Sequence, residues 1–325
     1  MKDTVDSFKI DIAALGELLI DFTCDGIGEG GYPTLTAHPG GAPANFLAAA
    51  AKYGCKTALI SKVGSDSFGR LLTATLASAG ISTRAVVQDA SVFTTLAFVT
   101  IDGAGEREFS FARKPGADLM LRTDEVDFGV IDSARIFHFG TLSLTGEPAR
   151  AATRDAVEYA RRSGKLISFD PNLRLPLWDS PDSAAEQMLW GLARADVIKI
   201  SDGEVDFLWG LKPEDGARKI LDEFGAKLVF VTCGASGCVF ANRYGAGRAP
   251  RPAVHPVDTT GAGDIFGGAA LALLLRSGKA AQELTLPELR GIAAIACAAA
   301  SLSTEKKGGI ESIPDEAAAL ARVAI

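Results

Sequence analysis

The sequence predicts an α/β fold with a mostly parallel central sheet, and three observations lead there. Short apolar runs alternate with helix-length segments, the rhythm of successive βαβ units. The apolar runs are rich in Ile, Val, Leu and Phe, as strands buried on both faces are. With 325 residues, 47% hydrophobic and 22% charged, the chain has enough apolar material for a large core and the charge of an ordinary globular protein.

Taken in chain order, residues 42–53 read as a helix stopped by Gly54, followed by a strand over 57–63. Residues 92–101 and 106–113 are extended runs joined by Asp102-Gly103-Ala104-Gly105, a hairpin signal that interrupts the βαβ rhythm. With the polar, glycine-rich stretch 21–37 it would form a small projecting sheet, either a lid or an ordinary surface hairpin. Strands are expected at 135–139, 165–170, 197–201 and 227–232, with a helix over 147–163 stopped by Gly164. Residues 286–303, dominated by Ala, Ile and Leu, read as a buried helix. No repeat, low-complexity linker or charge block divides the chain, so one domain over 1–325 is expected, its lid formed by segments within about 17–40 and 91–115.

Composition narrows the function classes. A net charge of -7 disfavours nucleic acid as a partner, and Arg161-Arg162 and Lys306-Lys307 are pairs rather than a basic stripe. The N-terminus carries acidic residues where a signal peptide is basic, and Glu17 and Asp21 cut the apolar stretch after it. Neither secretion nor a membrane span is expected. Cys24, Cys55, Cys233, Cys238 and Cys297 are odd in number and form no CxxC pair, which reads as free thiols in a reducing cytoplasm.

The most informative stretch is His255-Pro256-Val257-Asp258-Thr259-Thr260-Gly261-Ala262-Gly263-Asp264, followed by small apolar residues from Ile265. It implies a strand, a tight glycine turn and a helix start. There backbone N–H groups converge on an anion and the positive end of the helix dipole reinforces them. A phosphoryl-transfer site needs such a cradle and a residue that orients and deprotonates the attacking hydroxyl. Asp264 is placed to do so; the alternative is that it caps the helix. The loop lacks the Gly-Lys-Ser/Thr of a Walker A motif, and the chain lacks a GxGxxG dinucleotide fingerprint after its first strand.

The string Asp258-Thr259-Thr260-Gly261-Ala262-Gly263-Asp264, with Gly40-Gly41-Ala42-Pro43-Ala44-Asn45 and the later Gly54 and Gly64, resembles the two signatures of the ribokinase-like (PfkB) carbohydrate kinases. The resemblance runs from Gly16-Glu17 to Ser312-Ile313-Pro314. It implies a three-layer αβα sandwich with a β-sheet lid and ATP-dependent phosphorylation of a sugar hydroxyl. Asp264 would be the base and Gly261, Ala262 and Gly263 the anion hole. The same resemblance nominates Asp21, Gly40, Gly41 and Asn45 for sugar, and Thr232, Gly234 and Gly237 for ATP. Lys199-Ile200-Ser201-Asp202-Gly203-Glu204 resembles an Asn-x-x-Glu motif whose glutamate organises Mg²⁺. Ser201 replaces the Asn, while Glu204 would act on the metal through water, as suits a hard, strongly hydrated cation. Asp258, Thr260, Ser303, Lys306, Gly308 and Ser312 match positions that hold a monovalent cation, implying K⁺, mostly through backbone carbonyls.

Three stretches look more like fructokinases than ribokinases: residues 16–21, 111–118 and 169–178, with Leu19 where ribokinases commonly have Asn. Arg113, on the expected lid, and Arg174 would then reach the sugar or its phosphate. The sequence reads as a D-fructose kinase. A 2-keto-3-deoxygluconate kinase, a ribokinase and a catalytically idle sugar- or nucleotide-binding protein are the alternatives. A homodimer paired through the lid is the expected assembly.

Overall fold

The computed structural model describes residues 9–101 and 107–323. The chain opens with strands β1 (Ile10–Leu15), β2 (Leu19–Ile27) and β3 (Pro33–Gly40), then helix α1 (Ala42–Lys52) and strand β4 (Thr57–Gly64). Next come α2 (Ser67–Ser78), β5 (Ile81–Asp89), β6 (Leu96–Ile101), β7 (Arg107–Ala112), the short α3 (Phe128–Asp132) and β8 (Ala134–Gly140). The middle of the chain is α4 (Ala149–Arg162), β9 (Leu166–Asp170), α5 (Pro181–Leu192), β10 (Val197–Ser201), α6 (Asp202–Trp209) and α7 (Pro213–Phe224). It closes with β11 (Leu228–Thr232), β12 (Cys238–Asn242), β13 (Gly245–Ala249), α8 (Ala262–Ser277), α9 (Leu286–Ser303) and α10 (Glu316–Leu320).

The main sheet has nine strands in the order β13-β12-β11-β10-β9-β8-β1-β4-β5. Pairing is parallel from β5 through β11, and only β11–β12 and β12–β13 are antiparallel. Alternate side chains of β1 feed two cores. Ile12 and Ala14 pack with α1, α2, α8 and α9 on one face, and Ala13 and Leu15 with α3, α4 and α7 on the other. The expected αβα sandwich follows from that alternation. A second sheet of four strands, β3-β2-β6-β7, stands apart, with β2–β6 parallel and its other pairs antiparallel. The expected turn at 102–105 lies outside the described residues.

Helix α9 is long and apolar enough, by length and composition, to cross a membrane, yet half of it is buried in this fold. Its Leu289, Ala293, Ala296 and Cys297 belong to the core beside α8. One expected element is absent. Residues 250–258 precede the glycine loop without strand structure, because Pro250, Pro252 and Pro256 offer no N–H to a ladder.

Chain direction positions the site. β1 has its next strand on one side, β4, while β8 returns on its other side, so a crevice opens where the strand order reverses. Glu17, Leu142, Asn172 and Thr232 all lie at or just past the C-terminal ends of parallel strands.

Candidate active site

Two cavities adjoin at the N-terminus of α8. One, of about 260 Å³, is lined by Thr232, Gly234, Gly237, Thr259, Ala262 and Gly263, among others. The other, of about 240 Å³, is lined by Glu17, Asp21, Gly41, Asn45, Arg174 and Asp264, and it too reaches Thr259. The first turn of α8 is thus the wall between them.

That turn is built locally. Gly261 takes φ 74 at the N-cap, a left-handed conformation natural to glycine, and its carbonyl accepts from Ile265 N at 2.8 Å. The N–H groups of Gly263 and Asp264 fall in the first turn, where the helix offers no carbonyl to receive them. Asp258 shapes the approach: its Oδ1 accepts from Thr260 N and Oγ1 at 3.0 and 2.7 Å, and its Oδ2 from Gly308 N at 3.0 Å. This carboxylate ties the glycine loop to the C-terminal loop.

Asp264 is 8% exposed. Burial, with the nearby Asp170 carboxylate, pushes its pKa up to about 7, against the opposing pull of the Asn45 amide, Lys199 and Arg174. Asn45 Nδ2 donates to Asp264 Oδ2 at 3.0 Å. The contact depends on how closely α1 and α8 pack. A Cβ at Gly268 would collide with the Phe46 carbonyl, and one at Gly267 would press on the Phe46 ring. The Oδ1 of Asn45 is buried without a partner, a free acceptor beside the cavity.

Asp21, on β2, has its pKa raised to about 6 by burial, opposed by Arg174. A Cβ at Gly40, on the paired strand β3, would occupy the place of the Asp21 carboxylate, which is why glycine stands there. Gly41 takes φ 108 and passes so close to the Glu17 carbonyl that no side chain fits.

The remaining sequence-derived positions divide. Thr232, Gly234 and Gly237 line the first cavity, the glycines within the turn between β11 and β12. Ser201 caps α6: its N and Oγ donate to Glu204 Oε2 at 2.7 and 2.8 Å. Leu173 N donates to Glu204 Oε1 at 2.7 Å. With both oxygens engaged, Glu204 suits a water-mediated contact to a hydrated Mg²⁺ better than direct ligation. Among the described residues no three His, Cys, Asp or Glu side chains gather as a metal cage. Ser303 and Ser312 are buried, Lys306 is exposed, and Gly308 turns with φ 83, so this loop faces Asp258 with backbone rather than charge.

Arg113 departs from expectation. Its Nε donates to Asp118 Oδ2 at 2.8 Å, Nη1 to Thr145 Oγ1 at 2.8 Å, and Nη2 to Asp118 and to the Leu142 carbonyl at 2.5 and 2.9 Å. It is 4% exposed and lines neither cavity. A buried guanidinium must spend its donors on fixed partners, so here it braces the base of the second sheet.

Sequence reading passed over three residues. Glu17 lines the second cavity, accepts from Ala42 N at 2.7 Å, and has its pKa pushed up to about 7 by burial. Asn172 lines the same cavity with φ 46. Lys199 pairs with Asp170 at 2.9 Å on the inner side of α8. Burial alone would depress its pKa, but the carboxylates of Asp170, Glu204 and Asp264 together raise it and hold the ammonium charged. A lysine in the otherwise apolar run Val197-Ile198-Lys199-Ile200 was the available signal.

Residues 9–316 match the pfkB family carbohydrate kinases. The chain belongs to that family. It is 41% identical over 308 residues to the probable fructokinase-4 of Arabidopsis thaliana, covering 94% of each chain. Among solved structures, the fructokinase of Xylella fastidiosa with bound ATP superposes with a TM-score of 0.86 at 29% identity, over 96% of this chain and 98% of that one. The fructokinase of Vibrio cholerae O395, in a fructose-, ADP- and calcium-bound form, gives 0.85 at 30% identity over 97% and 99%.

Proposed function

We propose that this PfkB kinase transfers the γ-phosphoryl group of ATP to D-fructose, at the 6-hydroxyl, with Asp264 as base. The observation that carries the reading is the position of Asp264: a buried carboxylate on the wall between two cavities, beside first-turn N–H groups that can receive an anion. ATP would occupy the cavity of Thr232, Gly234 and Gly237, and sugar the cavity of Asp21, Asn45 and Arg174. The amides of the Gly261-Ala262-Gly263 loop would stabilise charge on the transferred group, worth about 3 kcal/mol per donor in comparable oxyanion sites.

Electrostatics favours a neutral sugar. The second cavity presents the carboxyls of Glu17, Asp21 and Asp264 against the guanidinium of Arg174. An acidic substrate such as 2-keto-3-deoxygluconate would add a fourth carboxylate, whereas fructose hydroxyls pair with carboxylate, amide and guanidinium alike. Fructokinase relatives at about this level of identity point the same way.

When bound, Mg²⁺ would supply charge neutralisation on the phosphates, and Glu204 would help hold it through water. Asp258, Thr260, Ser303, Lys306, Gly308 and Ser312 would frame a K⁺ site mostly through backbone carbonyls, with the Asp258 link to Gly308 N holding the two loops together. The four-stranded sheet acts as the lid and as the homodimer contact, a role that Ile27 at the end of β2 and Tyr32 in the turn before β3 suit, being 69% and 78% exposed. The five cysteines are free thiols, which fits the cytoplasm.

The deciding experiment is a panel of fructose, ribose, 2-keto-3-deoxygluconate and adenosine with ATP and Mg²⁺, compared by kcat/KM. Fructose should lead by at least about tenfold; a higher value for the sugar acid would overturn the neutral-sugar reading. Equal rates in sodium, potassium and choline buffers would remove K⁺ from it.

A further inference from the structure

We propose that Lys199 is a catalytic residue of this kinase, its ammonium contacting the phosphoryl group in transit, with Asp170 as the residue that positions it. The inference rests on phosphoryl transfer at Asp264 and adds a residue to it.

A charged lysine inside a central strand is costly unless its partners are in place. Lys199 sits on β10, one residue along from the Ile198–Phe169 pairing with β9 and opposite Phe230 of β11. Among the described residues its ammonium has one hydrogen-bond acceptor, Asp170 Oδ2 at 2.9 Å. An ammonium has three donors, so two N–H bonds remain for another group. Lys199 lines neither of the two cavities of the site, but its ammonium abuts the first turn of α8 that separates them. A Cβ built on Gly263 would stand 2.8 Å from Lys199 Nζ, and Gly263 lines the nucleotide cavity in the first turn of α8. The charge is therefore pressed against the backbone that would form the anion hole.

The surroundings hold the pair in place. Behind it lies a cavity of about 10 Å³ lined by His138, Ser168, Asp170 and Lys199, at the lower limit for one water molecule. His138 Nδ1 meets Ser168 Oγ at 3.0 Å, and the imidazole stacks on Phe46 at 3.7 Å between ring centroids. Glycine at 263 leaves room for the ammonium against the first turn of α8.

In the step itself, the sugar oxygen forms the new P–O bond and its proton passes to Asp264. The bond from the γ-phosphorus to the β,γ-bridging oxygen breaks, and that electron pair leaves on ADP. Lys199 exchanges no proton; it stabilises the charge on the moving phosphoryl oxygens.

The test compares Lys199→Met and the double variant Lys199→Met/Asp170→Asn, which removes the charge without stranding a buried carboxylate. Both are assayed for turnover, for ATP binding by calorimetry, and for binding of ADP with magnesium, fluoroaluminate and sugar as a mimic of the transferring group. The expected result is a fall in kcat of about 100-fold or more in both variants. KM values and ATP affinity should stay within about fivefold, and fluoroaluminate affinity should fall in step with kcat/KM. Fluoroaluminate binding as tight as wild type, or a double variant within tenfold of wild-type kcat, would overturn the role of Lys199. Asp264→Asn run in parallel separates the two ideas: retained turnover there defeats the base assignment and leaves the Lys199 result standing. A wild-type protein inert toward every sugar would end both.

Discussion

At the residue scale, the site trades stability for reactivity. Asp264 is buried with its pKa near 7, so the folded state binds a proton more tightly than the unfolded chain does. The stability it subtracts therefore grows as pH rises from about 4 to about 7 and is constant above that. Asp264→Asn should abolish phosphorylation while raising stability by about 2–4 kcal/mol at pH 8, and by less at pH 5. Urea unfolding at the two pH values measures this, and a variant less stable than wild type at pH 8 would refute it. The base must be ionised to accept a proton, so kcat/KM for the sugar should rise with pH through about 7 and flatten above. A profile already flat from pH 5 would place the base elsewhere.

At the element scale, the contact between α1 and α8 is what brings Asn45 to Asp264. Gly267 and Gly268 make it possible, since the second has the Phe46 carbonyl and Ala49 Cβ where its own side chain would be. Gly268→Val should destabilise the protein by about 1–3 kcal/mol through overpacking, and also lower kcat by pushing the Asn45 amide off the carboxylate. Loss of stability with kcat unchanged would show that the 3.0 Å contact is not needed for turnover. The strands were readable because each is a short apolar run: 57–63 against the observed Thr57–Gly64, and 197–201 without a shift. The strand expected before the glycine loop failed because three prolines in nine residues override apolar content.

At the scale of the whole molecule, the second sheet is tied to the C-terminal loop by two contacts. Lys307 pairs with Asp25 of β2, and His38 of β3 meets Glu311 at 3.1 Å. The same loop reaches the glycine turn through Gly308 and Asp258. The second sheet, the C-terminal loop and the glycine turn are thus mechanically continuous. The Asp25–Lys307 pair is exposed and screened, so Lys307→Ala should raise the sugar KM by less than about fivefold, with the difference gone at 1 M salt. A rise of a hundredfold would mean that the loop does far more than tether the second sheet.

The sequence by itself determined the α/β class, the family and the glycine loop with its aspartate. These rest on local patterns: hydrophobic period, helix stops and a contiguous motif. Only the tertiary structure decided which charged groups face the chemistry. Arg113 looked like a sugar ligand until its guanidinium was found spent on Asp118 and Thr145. Glu17, Asn172 and Lys199 lay within the resembling stretches without a role of their own; Glu17 and Asn172 joined the site because separate strands end at one crevice, and Lys199 because β10 runs beneath the first turn of α8. The pKa of Asp264 likewise belongs to the fold. Burial raises it, and burial is set by α1, α8 and β10 meeting around a residue whose neighbours in the chain are uncharged.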